Sequence, residues 1–381
     1  DHAEITINGG GGKVAGNEYL VDGIPNTTAN GAVVFLPSVD AVEELKVHTT
    51  MFDASLGHSN GGAISLTTRS GTNDLHGTGY WYFRRPWLYA NTWTNNRQGL
   101  PKTGGMYDQA GGVLSGPVWL PRLYDGHNRT FFTFSFERDR ANRGRSVQNR
   151  VPTELERQGD FSQTLNRLGG AFTIYDPATT VVTGSTAQRS PFPGNRIPQS
   201  RFDPTGFAVM NLLPLPNVPG PAQIGGLNWV EAGYYQVKQG NFLTRIDHVI
   251  SDRQRIFGRF GRSDRWTEPG QLHFPGYAGS NMAFSHSTFT NVGLDDTIAF
   301  SPQLVGTLRL GIVRSAADSR TGAAGYDPNE LSLPDVIIRN QFFRGWPTFA
   351  IGESFPAIGS KQSFSASDMY SGAAAFTKLT G

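Results

Sequence analysis

Three segments of this 381-residue chain alternate apolar and polar side chains over about ten residues. The clearest runs from Arg129 to Arg138, where Phe132, Phe134 and Phe136 share one side and mostly polar residues share the other. A period of two is typical of a β-strand that has one apolar face and one polar face. The sequence therefore predicts long strands whose two faces differ in chemistry.

The other two segments are hairpins, and their connections differ in length from one end to the other. Tight turns close the hairpins at 251–253 and 301–303, whereas the intervening connections are long. The long connections are predicted at 86–105, 139–238, 265–285 and from 316 onward. Long strands with short turns at one end and long loops at the other are typical of an outer-membrane β-barrel.

Composition favours a mainly all-β chain. Glycine and proline number 47 and 23, and only 17 % of the residues are charged, which disfavours long helices. The formal net charge of +2 disfavours a general nucleic-acid binder. Because cysteine is absent, disulfides, thiolate metal sites and cysteine nucleophiles are excluded. No apolar run long enough for a transmembrane helix occurs, but a barrel strand needs only about 9 to 11 residues.

The first seventy residues consist of short β-prone runs separated by glycine, which predicts a small mixed domain. Ser38 to Leu45 is compatible with a short helical turn capped by Ser38 or with an ordinary loop. Within the 139–238 connection, Asp203 and Pro204 predict the start of a short helix that ends before Pro214.

Several segments, in order, resemble the TonB-dependent outer-membrane receptors and, within them, the Oar-like group. Asn17 to Pro25, reading NEYLVDGIP, resembles the plug domain, and Val42 to Asn73 resembles the end of the plug running into the barrel. His76 to Arg84, reading HGTGYWYFR, resembles the first barrel strand. Further resemblances follow in the family's order at 109–121, 123–137, 151–162, 197–217 and 245–260.

The resemblance implies part of a plug domain at 1–73, followed by the first part of a transmembrane β-barrel at 74–381, with a long outer loop at 139–238. It implies three partners: outer-membrane lipid, the TonB complex through a segment missing here, and a large or scarce ligand. The loops are rich in Pro, Gly, Asn and aromatic residues, a composition that suits a glycan, a peptide or a siderophore equally. No cofactor is implied. Because only seven or eight strands can be counted, we expect the natural protein to continue past Gly381.

Six charged residues lie on the polar sides of predicted strands and are expected to face the lumen. There they would pair with one another, with the plug or with a passing solute. These residues are Arg245, Asp247, Arg255, Arg259, Asp295 and Arg309. The neighbouring Asp296 interrupts an apolar row, which predicts either a position near a membrane interface or a β-bulge.

Aromatic residues cluster around the first long connection, as an aromatic girdle at the membrane interface requires. They are Trp81, Trp87, Tyr89, Trp93 and Tyr107. The alternative is stacking against a ligand in the outer loops. For that role the candidates are Trp87, Tyr89 and Trp93.

Nothing in the sequence predicts catalysis or a metal site. The eight histidines do not pair with another histidine or a carboxylate at metal-ligand spacing. Asp295 and Asp296 are adjacent in a strand and point to opposite faces, so they cannot form an acid/base pair. The run from Gly9 to Gly12 lacks the residues of a phosphate loop, and the segment 124–128 has too few oxygen ligands for a calcium loop.

Three functions are compatible with these patterns. The leading one is a TonB-dependent receptor or transporter for energy-coupled uptake. The second is an Oar-like protein of the outer membrane that serves adhesion, surface assembly or protein export. The third is a secreted all-β carbohydrate-active enzyme, which requires paired carboxylates and loops of similar length at both ends, and the sequence has neither. We therefore expect a non-enzymatic protein of the bacterial outer membrane.

Overall fold

The computed structural model arranges the chain around two β-sheets. The described residues are 16–28, 31–49, 61–102, 105–220, 222–268, 283–321, 326–331, 333–340, 346–350, 355, 358–359 and 362–378. The glycine run at 9–12 lies outside these ranges, and so does most of the predicted connection at 265–285.

The small sheet has four strands in the order β2-β1-β4-β3, of which β1 and β4 are parallel. Its strands are β1 (Glu18–Val21), β2 (Ile24–Pro25), β3 (Val42–His48) and β4 (Ala63–Thr68). Asp22 and Gly23 join β1 to β2 with φ angles of 52° and 74°. Positive φ at both positions is the geometry of a two-residue type I′ hairpin. A 3₁₀ turn at Val39–Ala41 precedes β3, so the helical turn is confirmed, but the Ser38 side chain does not cap it.

The large sheet has eight antiparallel strands, each paired with its neighbours along the chain. They are β5 (His76–Arg84), β6 (Tyr107–Pro117), β9 (Thr130–Asn149), β12 (Trp229–Ser251), β13 (Gln254–Glu268), β14 (Ala283–Ser301), β15 (Leu304–Thr321) and β16 (Ser363–Lys378). Two small hairpins accompany it: β7 (Trp119–Leu120) with β8 (Tyr124–Asp125), and β10 (Val181–Thr183) with β11 (Thr186–Gln188). Within the described residues β5 and β16 are the free edges, so the sheet is open. The predicted all-β class is confirmed.

The predicted boundaries of the longest connection were wrong. β9 continues to Asn149 and β12 begins at Trp229, so the connection spans 150–228 rather than 139–238. The extra residues of both strands are held by backbone pairing, such as Trp229 with Asn149. Their side chains do not alternate between apolar and polar: β9 is mostly polar on both faces from Asp139 onward, and the start of β12 mixes apolar and polar residues on each face. The period that predicts a strand is therefore missing there.

The large sheet has two faces and two ends. Its inner face contacts the small sheet through residues such as Leu243 and Val313, both buried. Its outward face carries exposed apolar side chains, including Phe136, Phe260 and Leu294. The turn end carries the tight turns at 251–253 and 301–303, and the loop end carries the long connections.

Asp296 lies on the outward face without a bulge at its position. It pairs with Ile256 and Leu308 in continuous register, and the nearest irregularity lies between Ala299 and Ser301. Its carboxylate accepts two hydrogen bonds of 3.1 Å from Gln254 beside the turn at 251–253. Of the two predicted explanations, the structure therefore favours a position near the turn end.

The connection at 150–228 folds over the loop end of the large sheet. Short helices α1 (Trp93–Arg97), α2 (Glu154–Arg157), α3 (Pro204–Asn211) and α4 (Asp335–Arg339) occur in the connections. Asp203 accepts a hydrogen bond from the Gly206 N–H at 2.7 Å, so the predicted cap of α3 is confirmed. An apolar cluster joins this connection to residues that follow β15. It contains Val151, Val209, Leu213, Trp229, Tyr326, Leu331, Trp346 and Ile358. Among the described residues, no helix is long and apolar enough to cross a membrane.

Candidate functional site between the two sheets

The tip of the β1–β2 hairpin carries a buried carboxylate. The Asp22 side chain is only 3 % exposed. Within the small sheet, the Thr68 N–H and hydroxyl donate to its two oxygens at 2.7 and 2.8 Å. Hydrogen bonds within the small sheet alone therefore hold both carboxylate oxygens in fixed directions.

Two arginines of the inner face meet this carboxylate. Arg245 on β12 donates to Asp22 Oδ1 at 3.2 Å, and it also donates to the Thr68 carbonyl at 3.0 Å. Arg259 on β13 donates to the other carboxylate oxygen, and its side chain is fully buried. The single carboxylate of the small sheet is thus held between two guanidinium groups of the large sheet. We call Asp22, Arg245 and Arg259 the Asp22 cluster.

A second polar link continues from the Asp22 cluster back to the small sheet. Arg259 donates to the Asn291 side-chain oxygen at 2.6 Å, and Asn291 in turn donates to Asn26 at 2.9 Å. Asn26 is completely buried and exchanges hydrogen bonds with the Phe35 backbone. Buried polar groups are costly unless they are paired, so this network fixes the position of one sheet relative to the other.

Apolar packing surrounds these polar links. Ile24, at 1 % exposure, lies against Gly293 and Gly311 of the inner face. A β-carbon at Gly293 would come within 2.6 Å of the Ile24 side chain, so this close approach requires glycine. Phe35 packs with Leu243 in a shared cluster. The contact between the two sheets therefore combines apolar packing, which excludes water, with buried charges.

Of the six charged residues predicted to face the lumen, five form ion pairs on the inner face. Besides the Asp22 cluster, Asp247 pairs with Arg245 at 2.7 Å, and Asp295 pairs with Arg309 at 2.7 Å. The Arg309 guanidinium also lies against the hairpin tip, 2.8 Å from where a β-carbon of Gly23 would be. Arg255 is exposed and makes no ion pair with any residue that the structure describes.

Sequence reasoning missed the partners on the small sheet. Asp22 and Asn26 lie in a short segment without countable alternation, so no face could be assigned to them. The dipeptide Asp22-Gly23 was nevertheless a usable signal, because it is a preferred type I′ turn that exposes its side chain at a hairpin tip. Asn291 lies on the polar side of β14, the side that also carries Asp295.

A cationic groove of about 680 Å³ opens at the loop end of the inner face. Its lining includes Arg84, Lys102 and Arg143, together with Tyr89. Lys102 Nζ lies 4.9 Å from the centre of the Tyr89 ring, and Arg84 lies 5.6 Å from it. The Tyr89 hydroxyl is buried and has no hydrogen-bond partner among the described residues. We call this the loop-end groove.

The two tryptophans proposed with Tyr89 lie outside this lining. Trp87 and Trp93 are 76 % and 71 % exposed, and Arg97 covers the Trp93 ring at 5.2 Å. Trp81 is also exposed on the outward face. Tyr107 lines the loop-end groove, and its hydroxyl donates to Gln109 at 3.0 Å.

The described residues contain no group of three or more histidine, aspartate or glutamate side chains arranged to hold a metal ion. Asp295 and Asp296 lie on opposite faces of β14, as predicted, since one bonds Arg309 and the other Gln254.

Comparison with known proteins gives a family and several relatives. Residues 67–381 match the family described as "Outer membrane beta barrel domain". The TonB-dependent transporter Oar of Myxococcus xanthus is 31 % identical over 126 residues, which cover 33 % of this chain and 11 % of that protein. The chain therefore spans about a tenth of the length of this relative.

Solved structures of low sequence identity were also found. The outer membrane transporter YddB from Escherichia coli is 12 % identical, with 84 % of this chain and 34 % of that chain covered and a TM-score of 0.45. The siderophore receptor PirA from Acinetobacter baumannii is also 12 % identical, with 81 % and 38 % covered and a TM-score of 0.37. The chain spans about a third of YddB.

Proposed function

Since this chain belongs to the outer membrane beta barrel domain family, whose members are barrels of the bacterial outer membrane rather than enzymes, we propose that it is part of a TonB-dependent receptor that takes up a ligand. In this proposal the large sheet is the first part of the barrel wall, and the small sheet is the end of a plug that blocks the lumen. The carrying observation is the Asp22 cluster, which ties the hairpin tip to the wall by buried ion pairs.

The Asp22 cluster suits a plug that must be held and then released. A buried ion pair adds little net stability, but it fixes the position of the groups that form it, because a displaced partner leaves a buried charge unpaired. Moving the small sheet therefore requires energy to separate these pairs. We propose that the TonB complex supplies this energy from the periplasmic side, through a segment outside this sequence.

The loop-end groove is the proposed first contact for the ligand. Arg84, Lys102 and Arg143 line it, and the Tyr89 ring provides a surface for stacking. Positive charge in a concave site attracts anionic solutes. Acidic glycans, acidic peptides and siderophores all meet this requirement, and the groove chemistry does not separate them.

The test is a reversible tether between plug and wall. A β-carbon at Gly311 would lie 3.8 Å from that of Ile24, which is the usual spacing across a disulfide, and the sequence has no other cysteine. The double variant Ile24→Cys/Gly311→Cys, in the full-length protein, should fix the plug when oxidised. Uptake of ferric siderophores, glycans and peptides would be measured in cells with and without the TonB complex.

We expect at least one ligand to enter only in cells that have the TonB complex. Oxidation of the tether should stop this uptake and dithiothreitol should restore it, whereas the single variant Ile24→Cys should respond to neither. Uptake that continues through the oxidised tether would contradict release of the plug. Binding of cells to a surface that is unaffected by the tether, without any uptake, would favour the adhesion or export alternative.

A further inference from the structure

The outward face changes character abruptly towards the loop end. Phe136 on β9 pairs with Phe242 on β12, and the Phe242 ring lies 6.0 Å from Phe260 on β13. The next outward residues along β9 are Arg138 and then Arg140, both exposed. An aromatic belt is therefore followed, within two residues of the same strand, by positive charge.

The register brings three cations together above this belt. Arg140 is directly opposite Lys238 on β12, and Arg138 is opposite Gly240. Like charges that face each other across strands are unfavourable unless something offsets them. We call Arg138, Arg140 and Lys238 the cationic triplet.

No acidic neighbour is bonded to either arginine among the described residues. The Asp108 carboxylate, which pairs with Arg140 in register, is bonded to Arg85 at 2.6 Å. Lys238 is bonded to Glu268 at 2.7 Å. Within the described part of the chain, the side chains of Arg138 and Arg140 make no hydrogen bond or ion pair. The two arginines of the triplet thus have no bonded counter-ion among the described residues, since each nearby carboxylate is bonded to another cation.

A groove lies beside the triplet. Its volume is about 410 Å³, and its lining includes Phe136, Arg138, Lys238 and Trp266. Two carboxylates also line it, Asp264 and Glu268, and they are paired with Arg262 and Lys238. Gly240 forms its floor, since nothing lies within 4 Å of the position a β-carbon would take there. The bare backbone leaves room for a group larger than water between the two cationic side chains.

From this arrangement we infer that the cationic triplet binds the phosphorylated headgroup of an outer-leaflet lipid. The apolar belt of Phe136, Phe242 and Phe260 faces the acyl chains, and the headgroup phosphate lies between Arg138, Arg140 and Lys238. A soluble anion would not account for the continuous step from aromatic belt to cations on the face that points away from the lumen. This inference requires only the outer-membrane location and is independent of transport.

The test is lipid retention by the full-length protein purified in a neutral detergent. Native mass spectrometry would count bound lipid while a bisphosphorylated lipid A is titrated, with its dephosphorylated form and inorganic phosphate as separate probes. We expect tight retention of the phosphorylated form alone. The double variant Arg138→Gln/Arg140→Gln should weaken it about a hundredfold, at roughly tenfold for each charged hydrogen bond lost.

A matched control removes the same charge elsewhere on this face. Arg314 and Arg320 on β15 are exposed, outward and already paired with Asp368 and Asp318. The variant Arg314→Gln/Arg320→Gln should retain the lipid as the wild type does, and Arg138→Lys/Arg140→Lys should retain most of it.

Three results would overturn the inference: equal retention of both lipid forms, wild-type retention by Arg138→Gln/Arg140→Gln, or displacement of the lipid by low-millimolar inorganic phosphate. The last result would assign the triplet to a soluble anion. If the glutamine variant does not fold, as judged by loss of heat-modifiable migration, the comparison of the two lipid forms on the wild type decides.

Discussion

Replacing Asp22 by Asn should loosen the small sheet without altering its shape. The carboxylate has two donors from Thr68 and two from Arg245 and Arg259, and the Arg259 side chain is fully buried. Asn keeps one acceptor oxygen but leaves the buried Arg259 guanidinium without a counter-charge, whereas Arg245 keeps its pair with Asp247. Loss of one partner from a buried pair costs about 3–5 kcal/mol, which corresponds to a rise of roughly a hundredfold to a few thousandfold in local opening.

Hydrogen–deuterium exchange of the full-length protein in detergent measures this opening directly, in peptides that cover residues 18–28 and 61–68. Asp125→Asn is the matched control, because the Asp125 side chain, at the end of β8, is 71 % exposed and its only bonded partner among the described residues is His127. A change of less than twofold in the Asp22→Asn peptides would refute the reasoning. Adding Arg259→Met should recover part of the loss, since one uncompensated buried charge is then removed.

Four further changes test other parts of the structure. Asp295→Asn should cost no more than about 1 kcal/mol by the same exchange measurement, because its partner Arg309 is 42 % exposed and water screens the pair. Gly23→Ala should lower the unfolding temperature, since φ is 74° there and the new β-carbon would collide with Arg309. Ile358→Ala should destabilise the loop-end cluster by about 2–5 kcal/mol and raise exchange in 205–213 and 326–331 together, since one cluster joins both segments. The hydrogen bond from Arg201 holds the pKa of Asp176 below its usual value. This pair therefore stabilises the connection above about pH 3.9, and the stabilisation is lost as the pH falls through the lowered pKa. In Arg201→Gln, carboxyl ¹³C NMR should show that the titration midpoint of Asp176 rises.

The strands of the large sheet were predictable where their two faces differ in polarity. Phe132 to Phe136, and both hairpins, alternate because one face contacts lipid and the other a polar interior, and the structure has strands at these positions. Beyond Arg138 both faces of β9 meet water or polar neighbours, so apolar and polar side chains no longer alternate along the strand. The backbone hydrogen bonds to β12 continue there, but the hydropathy pattern of the sequence does not show them.

Only the residues that the large sheet contributes to the candidate site were predictable from the sequence. The period of two assigns Arg245, Arg259 and Asp295 to the inner face, because each lies in a strand with a clear apolar partner row. Their partners could not be found in this way, since Asp22 is separated from Arg245 by 223 residues and no periodicity links segments so distant. The loop-end groove is also a product of tertiary structure, since its lining comes from β5, β6, β9 and the connection between β5 and β6.

The long separation between Asp22 and its partners has a consequence for biogenesis. The strands of the large sheet pair in sequence order, so each hairpin can form as soon as its second strand is available. Asp22 precedes Arg259 by 237 residues, and Asn26 precedes Asn291 by 265. We therefore expect the small sheet to be synthesised first and to dock last. Until it docks, the large sheet exposes Leu243, Val313 and an Arg259 without its counter-ion on its inner face, which is the kind of surface that chaperones must protect.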